Sequence, residues 1–336
     1  MRAFGQRNSA DNAASRKAVG ACASVSRRRA LGAIASAAAL AAAPRVFGAT
    51  SSEKNPAAPY PAINTGTLIG YELPIERQIE LSSRAGFPAI ELWARDIEAF
   101  LQKGGTCADL KKMLSDSGLK LENIIGFCAW AADDPDERAK GREAFMREME
   151  TASALGAKHI AATGLGTSNL TREKLDGYAA RYRELLEFGE PLNVTPLIEL
   201  WGSHTFSRLE DVMYIALAAK HKNASVLLDF YHLYRGGNSF ESLALLNMRG
   251  IGVFHINDYP ANPPREKLVD ADRVFPGDGV CPLVETVAAM RSNGFSGALS
   301  VELFNKSYWA KYSPEELLKI CREKTEAVIS ESAKIS

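Results

Sequence analysis

At 336 residues, 46% of them apolar, the chain can bury a large core without disulfide staples, and its length suits one large domain or two average ones. Forty Lys and Arg balance forty Asp and Glu, but residues 1–49 hold eight of the basic residues against Asp11 alone, leaving 32 basic and 39 acidic residues, a formal charge of −7, for the rest. A mildly acidic body argues against a nucleic-acid partner held through its phosphates, and five scattered cysteines with no CxxC pair argue against a disulfide framework or a cysteine zinc site.

The chain opens with a leader. Ser26-Arg-Arg-Arg-Ala-Leu-Gly32 precedes an alanine-rich run at 33–43 that is too short to span a bilayer. A basic start, a short apolar core and small residues at Gly48-Ala49 read as an export signal. The paired arginines before the core resemble the twin-arginine type, which carries folded proteins across a membrane. The expectation is a twin-arginine signal peptide at 1–49, a linker at 50–61 rich in Pro and Ser, and a periplasmic protein with no stable membrane anchor.

From residue 62 onward, short apolar strands alternate with amphipathic helices. Strands are expected at 62–68, 89–93, 121–127, 159–163, 195–201, 225–230, 252–257 and 298–304. Helices are expected near 74–85, 106–117, 135–155, 171–189, 207–220, 240–248, 281–293 and 314–332, several opened by a capping residue and several closed by glycine. Eight of each, over about 270 residues, is the count of a single (β/α)8 barrel of the α/β class, here assigned to 62–336. A doubly wound open sheet would carry a glycine-rich phosphate turn after strand one. Thr65-Gly-Thr-Leu-Ile-Gly70 opens no GxGxxG helix, so the barrel is preferred.

Four strand ends then carry acids or imidazole: Glu199 in Leu197-Ile-Glu-Leu-Trp201, Asp229 in Leu227-Leu-Asp-Phe-Tyr231, His255 in Val253-Phe-His-Ile-Asn257 and Glu302 in Ser300-Val-Glu-Leu-Phe304. Period-two alternation aims each one inward, at the carboxyl face where barrels gather their chemistry. Three carboxylates and one imidazole make a hard, oxygen-rich site suited to Mn²⁺, with Mg²⁺, Co²⁺ or Zn²⁺ as alternatives. His232 follows three residues after Asp229, and Asp258 after His255 reads as a residue orienting a ligand. Trp93, Trp130, Trp201 and Trp309 all fall at or just past strand ends, where flat rings suit the C–H faces of a polyol. Trp93, Trp130 and Trp201 are the ones expected to touch substrate. Glu91 reads as a pocket-rim residue or an ion-pair partner, and His159 as a barrel-wall histidine.

The segments Pro196-Leu-Ile-Glu-Leu, Leu228-Asp-Phe-Tyr-His, Phe254-His-Ile-Asn-Asp and Ser300-Val-Glu-Leu-Phe resemble the xylose-isomerase-like sugar isomerases and epimerases. Asp272-Arg-Val-Phe-Pro-Gly-Asp-Gly279 and Val301-Glu-Leu-Phe-Asn-Lys-Ser-Tyr-Trp309 are most like the inosose (keto-inositol) isomerases among them. The resemblance covers about 62–332, and its specificity lies in the second half. It implies one divalent ion held by Glu199, Asp229, His255 and Glu302, with His232 and Arg273 on substrate oxygens. The chemistry expected is carbonyl migration or epimerisation on a keto-sugar or keto-inositol through an enediolate, with Glu199 and Glu302 as the acid–base pair.

Competing readings are a metal-dependent dehydratase or lyase on a keto-sugar, a non-catalytic exported sugar-binding module, and an apurinic-site endonuclease. The last needs further histidines, and Val274 stands where one would follow the Asp-Arg pair. A small sugar or cyclitol is the expected partner, nucleic acid is not, and the sequence is compatible with a homo-oligomer.

Overall fold

The computed structural model describes residues 58–335. Eight parallel strands close into a barrel in chain order. They are β1 Tyr60–Asn64, β2 Ala89–Trp93, β3 Lys120–Ile125, β4 His159–Ala162, β5 Thr195–Glu199, β6 Ser225–Asp229, β7 Val253–Ile256 and β8 Ala298–Val301. β1 closes the ring, with Ile63 opposite Ile90 of β2 and Ala62 opposite Ser300 of β8. The helices are α1 Ile75–Arg84, α2 Ala94–Gln102, α3 Cys107–Asp116, α4 Pro135–Leu155, α5 Arg172–Gly189, α6 Leu209–Ala218, α7 Phe230–Arg235, α8 Leu283–Ser292, α9 Lys306–Lys311 and α10 Pro314–Ser332. None of the described helices is long and apolar enough to cross a membrane.

The strands are mostly apolar on both faces, as parallel strands buried on two sides tend to be, with Glu91, Asn123 and Ser300 among the buried polar exceptions. Ile90, Leu92, Ile124, Ile198, Leu228, Phe254 and Leu299 belong to the large cluster shared with the helices. The alternate residues Trp93, Ile125, Ala161, Leu197, Leu227 and Val253 form a separate cluster inside the ring, and Ala62, Ala89 and Ala298 a smaller one. The inward layers are therefore packed shut below the strands' carboxyl ends, and any site must lie above them.

The expected (β/α)8 barrel is the fold observed, with differences at the edges. Strand β1 runs 60–64, not 62–68, because the Asn64 side chain accepts the Gly66 N–H at 2.9 Å and turns the chain into a 3-10 helix, Thr65–Tyr71. The barrel thus starts at Tyr60, two residues before the expected boundary. The export signal and most of the expected linker lie outside the described residues. Segment 240–248 is a 3-10 turn, Phe240–Leu245, rather than an α-helix. Helix α2 was not anticipated. It follows Trp93 directly, with no capping side chain to announce it.

Helix α4 shows how close the layers approach. Asp134 caps it, Pro135 occupies its first position, and Gly156 ends it with φ 87°. Midway along, a Cβ on Gly141 would stand 2.5 Å from the carbonyl carbon and oxygen of Ala129, in the segment that leaves β3. Backbone cannot give way there as a side chain end could. Alanine in place of a helical glycine ordinarily gains about 0.5–1 kcal/mol, whereas overpacking costs about 1–3 kcal/mol. Gly141→Ala is expected to lower stability by about 1–2 kcal/mol in urea denaturation. A gain in stability would show that α4 does not sit on the Ala129 backbone.

Candidate active site

Inward positions two residues beyond Leu197, Leu227 and Val253 are Glu199, Asp229 and His255, at the carboxyl ends of β5, β6 and β7, and Glu302 follows β8 by one residue. All four are buried. Asp229, His255 and Glu302 offer ligand atoms that lie within 4.8 Å of one another. The imidazole Nδ1 stands 3.7 Å from Asp229 Oδ2 and 3.5 Å from Glu302 Oε2. Glu199 falls outside this trio but within its field. Burial pushes its carboxyl up to about 8, His255 pulling against the rise and Glu302 adding to it. Its Oε2 has no hydrogen-bond partner among the described residues.

What aims the imidazole comes from the opposite side of the ring. His255 Nε2 faces both oxygens of Glu91 on β2, at 3.2 and 3.3 Å, and Asn123 on β3 donates to Glu91 Oε2 at 2.8 Å. A carboxylate there accepts the Nε2–H and fixes the ring so that Nδ1 faces Asp229 and Glu302, where it would offer its lone pair to a cation bound between them. Burial alone would lower the imidazole's affinity for protons, yet the charges of Glu91 and Glu302 outweigh it and push His255 up to about 10.

The carboxylates are equally fixed. Asp229 Oδ1 caps α7 by accepting the His232 N–H at 2.8 Å, while its Oδ2 accepts from Asn257 at 2.8 Å and from Arg273 at 3.3 Å. Burial works against its charge, but Arg273, His232 and His255 prevail and hold it below the usual carboxylate range. Glu302 takes Asn64 Nδ2 on Oε1 at 3.0 Å and Arg273 Nη1 on Oε2 at 2.8 Å. Asn64 is locked in turn by the Trp93 indole N–H at 2.7 Å.

Arg273 lies buried over the rings of Tyr231 and Phe304, at 4.5 and 5.1 Å. Its second arm donates to Asp270 at 2.7 Å and to His232 Nε2 at 3.1 Å. Burial, then the guanidinium's charge, pushes His232 down to about 4, so it is neutral beside Arg273. Trp93, Phe127, Trp201 and Phe304 form a wall of rings: Phe127 is 5.0 Å from Trp93 and 5.8 Å from Trp201, and Phe304 is 6.1 Å from Trp93. Phe127, 42% exposed, marks the mouth.

The structure does not bring every expected residue here. Trp130 packs in the outer core, 6.1 Å from Tyr182, a ring on α5, and away from that wall. Trp309 lies against Gly70 and donates to the Thr67 carbonyl. Asp258 does not orient a ligand. Its carboxylate accepts the backbone N–H groups of Tyr259, Gly277, Gly279 and Cys281 and so fastens a loop.

Glu91, Asn64, Asn123 and Asn257 are the residues that sequence reasoning undervalued. One signal was available for Glu91: Ile-Glu-Leu-Trp occurs twice, at 90–93 and at 198–201, so β2 repeats the pattern of β5.

The donor set fits a divalent cation. It offers two carboxylates and one imidazole, all buried, with a partnerless Nδ1 whose far nitrogen is already oriented by a carboxylate.

Comparison with known proteins finds relatives of this chain. Residues 79–324 match the family model described as xylose isomerase-like TIM barrel. An inosose isomerase of Bacillus velezensis is 29% identical over 265 residues, covering 76% of this chain and 92% of the relative. A 3-dehydroshikimate dehydratase of Pseudomonas putida is 24% identical over 70% of this chain, which spans only 37% of that longer protein. Among solved structures, the IOLI protein with a binding zinc atom superposes with a TM-score of 0.75 at 25% identity, over 81% of this chain and 98% of that one.

The titrations carry a sign that can be checked on metal-stripped protein. His255 holds its proton to about 10 against 6.5 when unfolded, and Glu199 to about 8 against 4.5. Both bind more protons folded than unfolded in those windows, so their stabilisation is complete below the unfolded values and is lost as pH rises through the folded ones. Stability by urea denaturation should fall between pH 6.5 and 10. The fall should be smaller in Glu91→Gln, where the imidazole has lost its nearest counter-charge. Equal slopes in the two proteins would mean Glu91 does not hold that proton.

Proposed function

Because the chain belongs to the xylose isomerase-like TIM barrel family, we propose that it is a metal-dependent sugar isomerase or epimerase acting on a keto-sugar or keto-inositol. The observation that carries this reading is the trio Asp229, His255 and Glu302, buried together at the carboxyl end of the barrel beside Glu199, whose Oε2 has no hydrogen-bond partner among the described residues. The likeness to inosose isomerases supports the keto-inositol end of the range. The oxygen-rich donor set favours Mn²⁺, while a solved relative carries zinc.

Asp229, His255 and Glu302 would hold a divalent ion, which would supply Lewis acidity toward the negative charge that develops when a proton leaves the carbon beside a carbonyl. The chain's own groups do the proton work. A carboxyl raised to about 8, with a free oxygen, can accept and return a proton near neutral pH, and Glu199 is such a group. Glu302, across the ring just past β8, is its proposed opposite number, its oxygens aimed by Asn64 and Arg273. Neutral His232, with Arg273 on its Nε2, is placed to bind substrate oxygens through its unpartnered Nδ1. The rings of Trp93 and Trp201 offer flat apolar faces to C–H bonds and narrow the entry of water.

A second reading keeps the same proton abstraction but expels water, and the dehydratase relative is what favours it. We also propose export through the Arg27-Arg28 leader.

Protein loaded with Mn²⁺ and incubated with keto-inositols and ketoses in D₂O is expected to place deuterium beside a carbonyl, with product of unchanged formula. Product lighter by one water would favour the dehydratase, and no exchange across the panel would favour a binding module. Glu302→Gln should lose at least about a hundredfold in turnover. His232→Ala should keep its metal content while turnover collapses, and loss of the metal would make His232 a ligand instead. Replacing Arg27 and Arg28 by lysine should hold the protein in the cytoplasm. Unchanged export would refute the twin-arginine assignment.

A further inference from the structure

Arg273 is the one buried Arg or Lys among the described residues. One arm, Nη1, lies 2.8 Å from Glu302 Oε2 and 3.3 Å from Asp229 Oδ2. Those same two oxygens face His255 Nδ1 across the trio, at 3.5 and 3.7 Å. The guanidinium is held there independently: Asp270 anchors its other arm at 2.7 Å, and Tyr231 and Phe304 flank its plane. A fixed positive charge therefore sits on the lone pairs that a bound ion would need.

We propose that Arg273 is a resident counter-cation that weakens ion binding at Asp229, His255 and Glu302. It keeps the two carboxylates in place when no ion is bound, and it makes an ion once bound easier to release. The inference rests on the metal-binding reading above. Its physical basis is Coulombic: at about 4 Å and an effective dielectric constant of about 20, a unit charge shifts the affinity for a second cation by far more than tenfold, and rearrangement gives part of that back. Asp270, its side chain 56% exposed, ties the same guanidinium to the surface of the loop that carries it.

The test is the affinity of purified, metal-stripped full chain for Mn²⁺ and for Zn²⁺ at pH 8, by calorimetric titration and by equilibrium dialysis with elemental analysis. Arg273→Met is expected to bind each ion at least about tenfold more tightly than the unsubstituted protein. Its metal-free form should melt lower, because two buried carboxylates have lost their partner, and added ion should restore more stability than it does without the substitution. Arg273→Gln carries the same expectation should the Met protein not fold. Arg95→Met is the control, since Arg95 stacks on Trp93 near the mouth, is exposed and touches neither oxygen. Its affinity should stay within about twofold.

Equal affinity with and without Arg273, or an equal gain in Arg95→Met, overturns the inference while leaving the metal site standing. An unsubstituted chain that takes up neither ion would overturn the metal reading and the inference together.

Discussion

Everything above the packed layers of this barrel answers one constraint, which is negative charge in a dry interior. Glu91, Glu199, Asp229 and Glu302 all end inside the ring, buried. An isolated ionised carboxylate there is prohibitively costly, and it survives only if paired, hydrogen-bonded or neutralised. Each of the four takes a different solution. Glu91 pairs with an imidazole, Asp229 collects two side-chain donors and a helix N–H, Glu302 shares a guanidinium, and Glu199 holds its proton. The differences in proton affinity across the site follow from these solutions. They also leave the four carboxyls with different readiness to give up a proton, Asp229 held below the usual range and Glu199 above it.

A division of roles runs around the ring. Strands β5 to β8 bring the groups that would meet an ion or a substrate. Strands β1 to β3 bring the groups that aim them, Asn64 onto Glu302, Glu91 onto His255 and Asn123 onto Glu91. Such aiming is possible only because the barrel is closed, so that β2 faces β7 across the interior. An open sheet would leave the two halves on separate edges.

This arrangement explains what the sequence could and could not disclose. The barrel was readable because periodicity is local: eight apolar runs, eight amphipathic ones, and caps such as Ser313 and Asp134. Glu199, Asp229, His255 and Glu302 stood out because they end four consecutive strands at matching depth, although each singly could be a helix cap or an ion-pair partner. Glu91 has the same local signature, but its meaning depends on His255, 164 residues away, and no spacing rule reaches that far. Trp130 failed for the complementary reason. A ring five residues past the end of β3 can turn to either side of the wall, and only packing against Tyr182 decides which. Asp258 was assigned by its nearness in sequence to His255, yet it lies two residues past the end of β7, where its carboxylate serves a loop instead.

That loop has a consequence for how such a barrel can change. Asp258 and Val274 exchange backbone hydrogen bonds as an isolated antiparallel bridge, and the Asp258 carboxylate gathers three more N–H groups from 277–281. The segment between them, 259–273, leaves and rejoins the body through one pinned stem. Arg273 sits immediately inside the returning end. Two of the segment's residues are tied to the barrel, Leu268 by burial beside Tyr231 and Asp270 by the Arg273 guanidinium, while the tip at 260–267 lies between those ties and the stem and can change length without transmitting strain into β7. The stem and these two ties confine any change of length to the tip, so the rim above the pocket can vary in shape while Arg273 and β7 stay where they are.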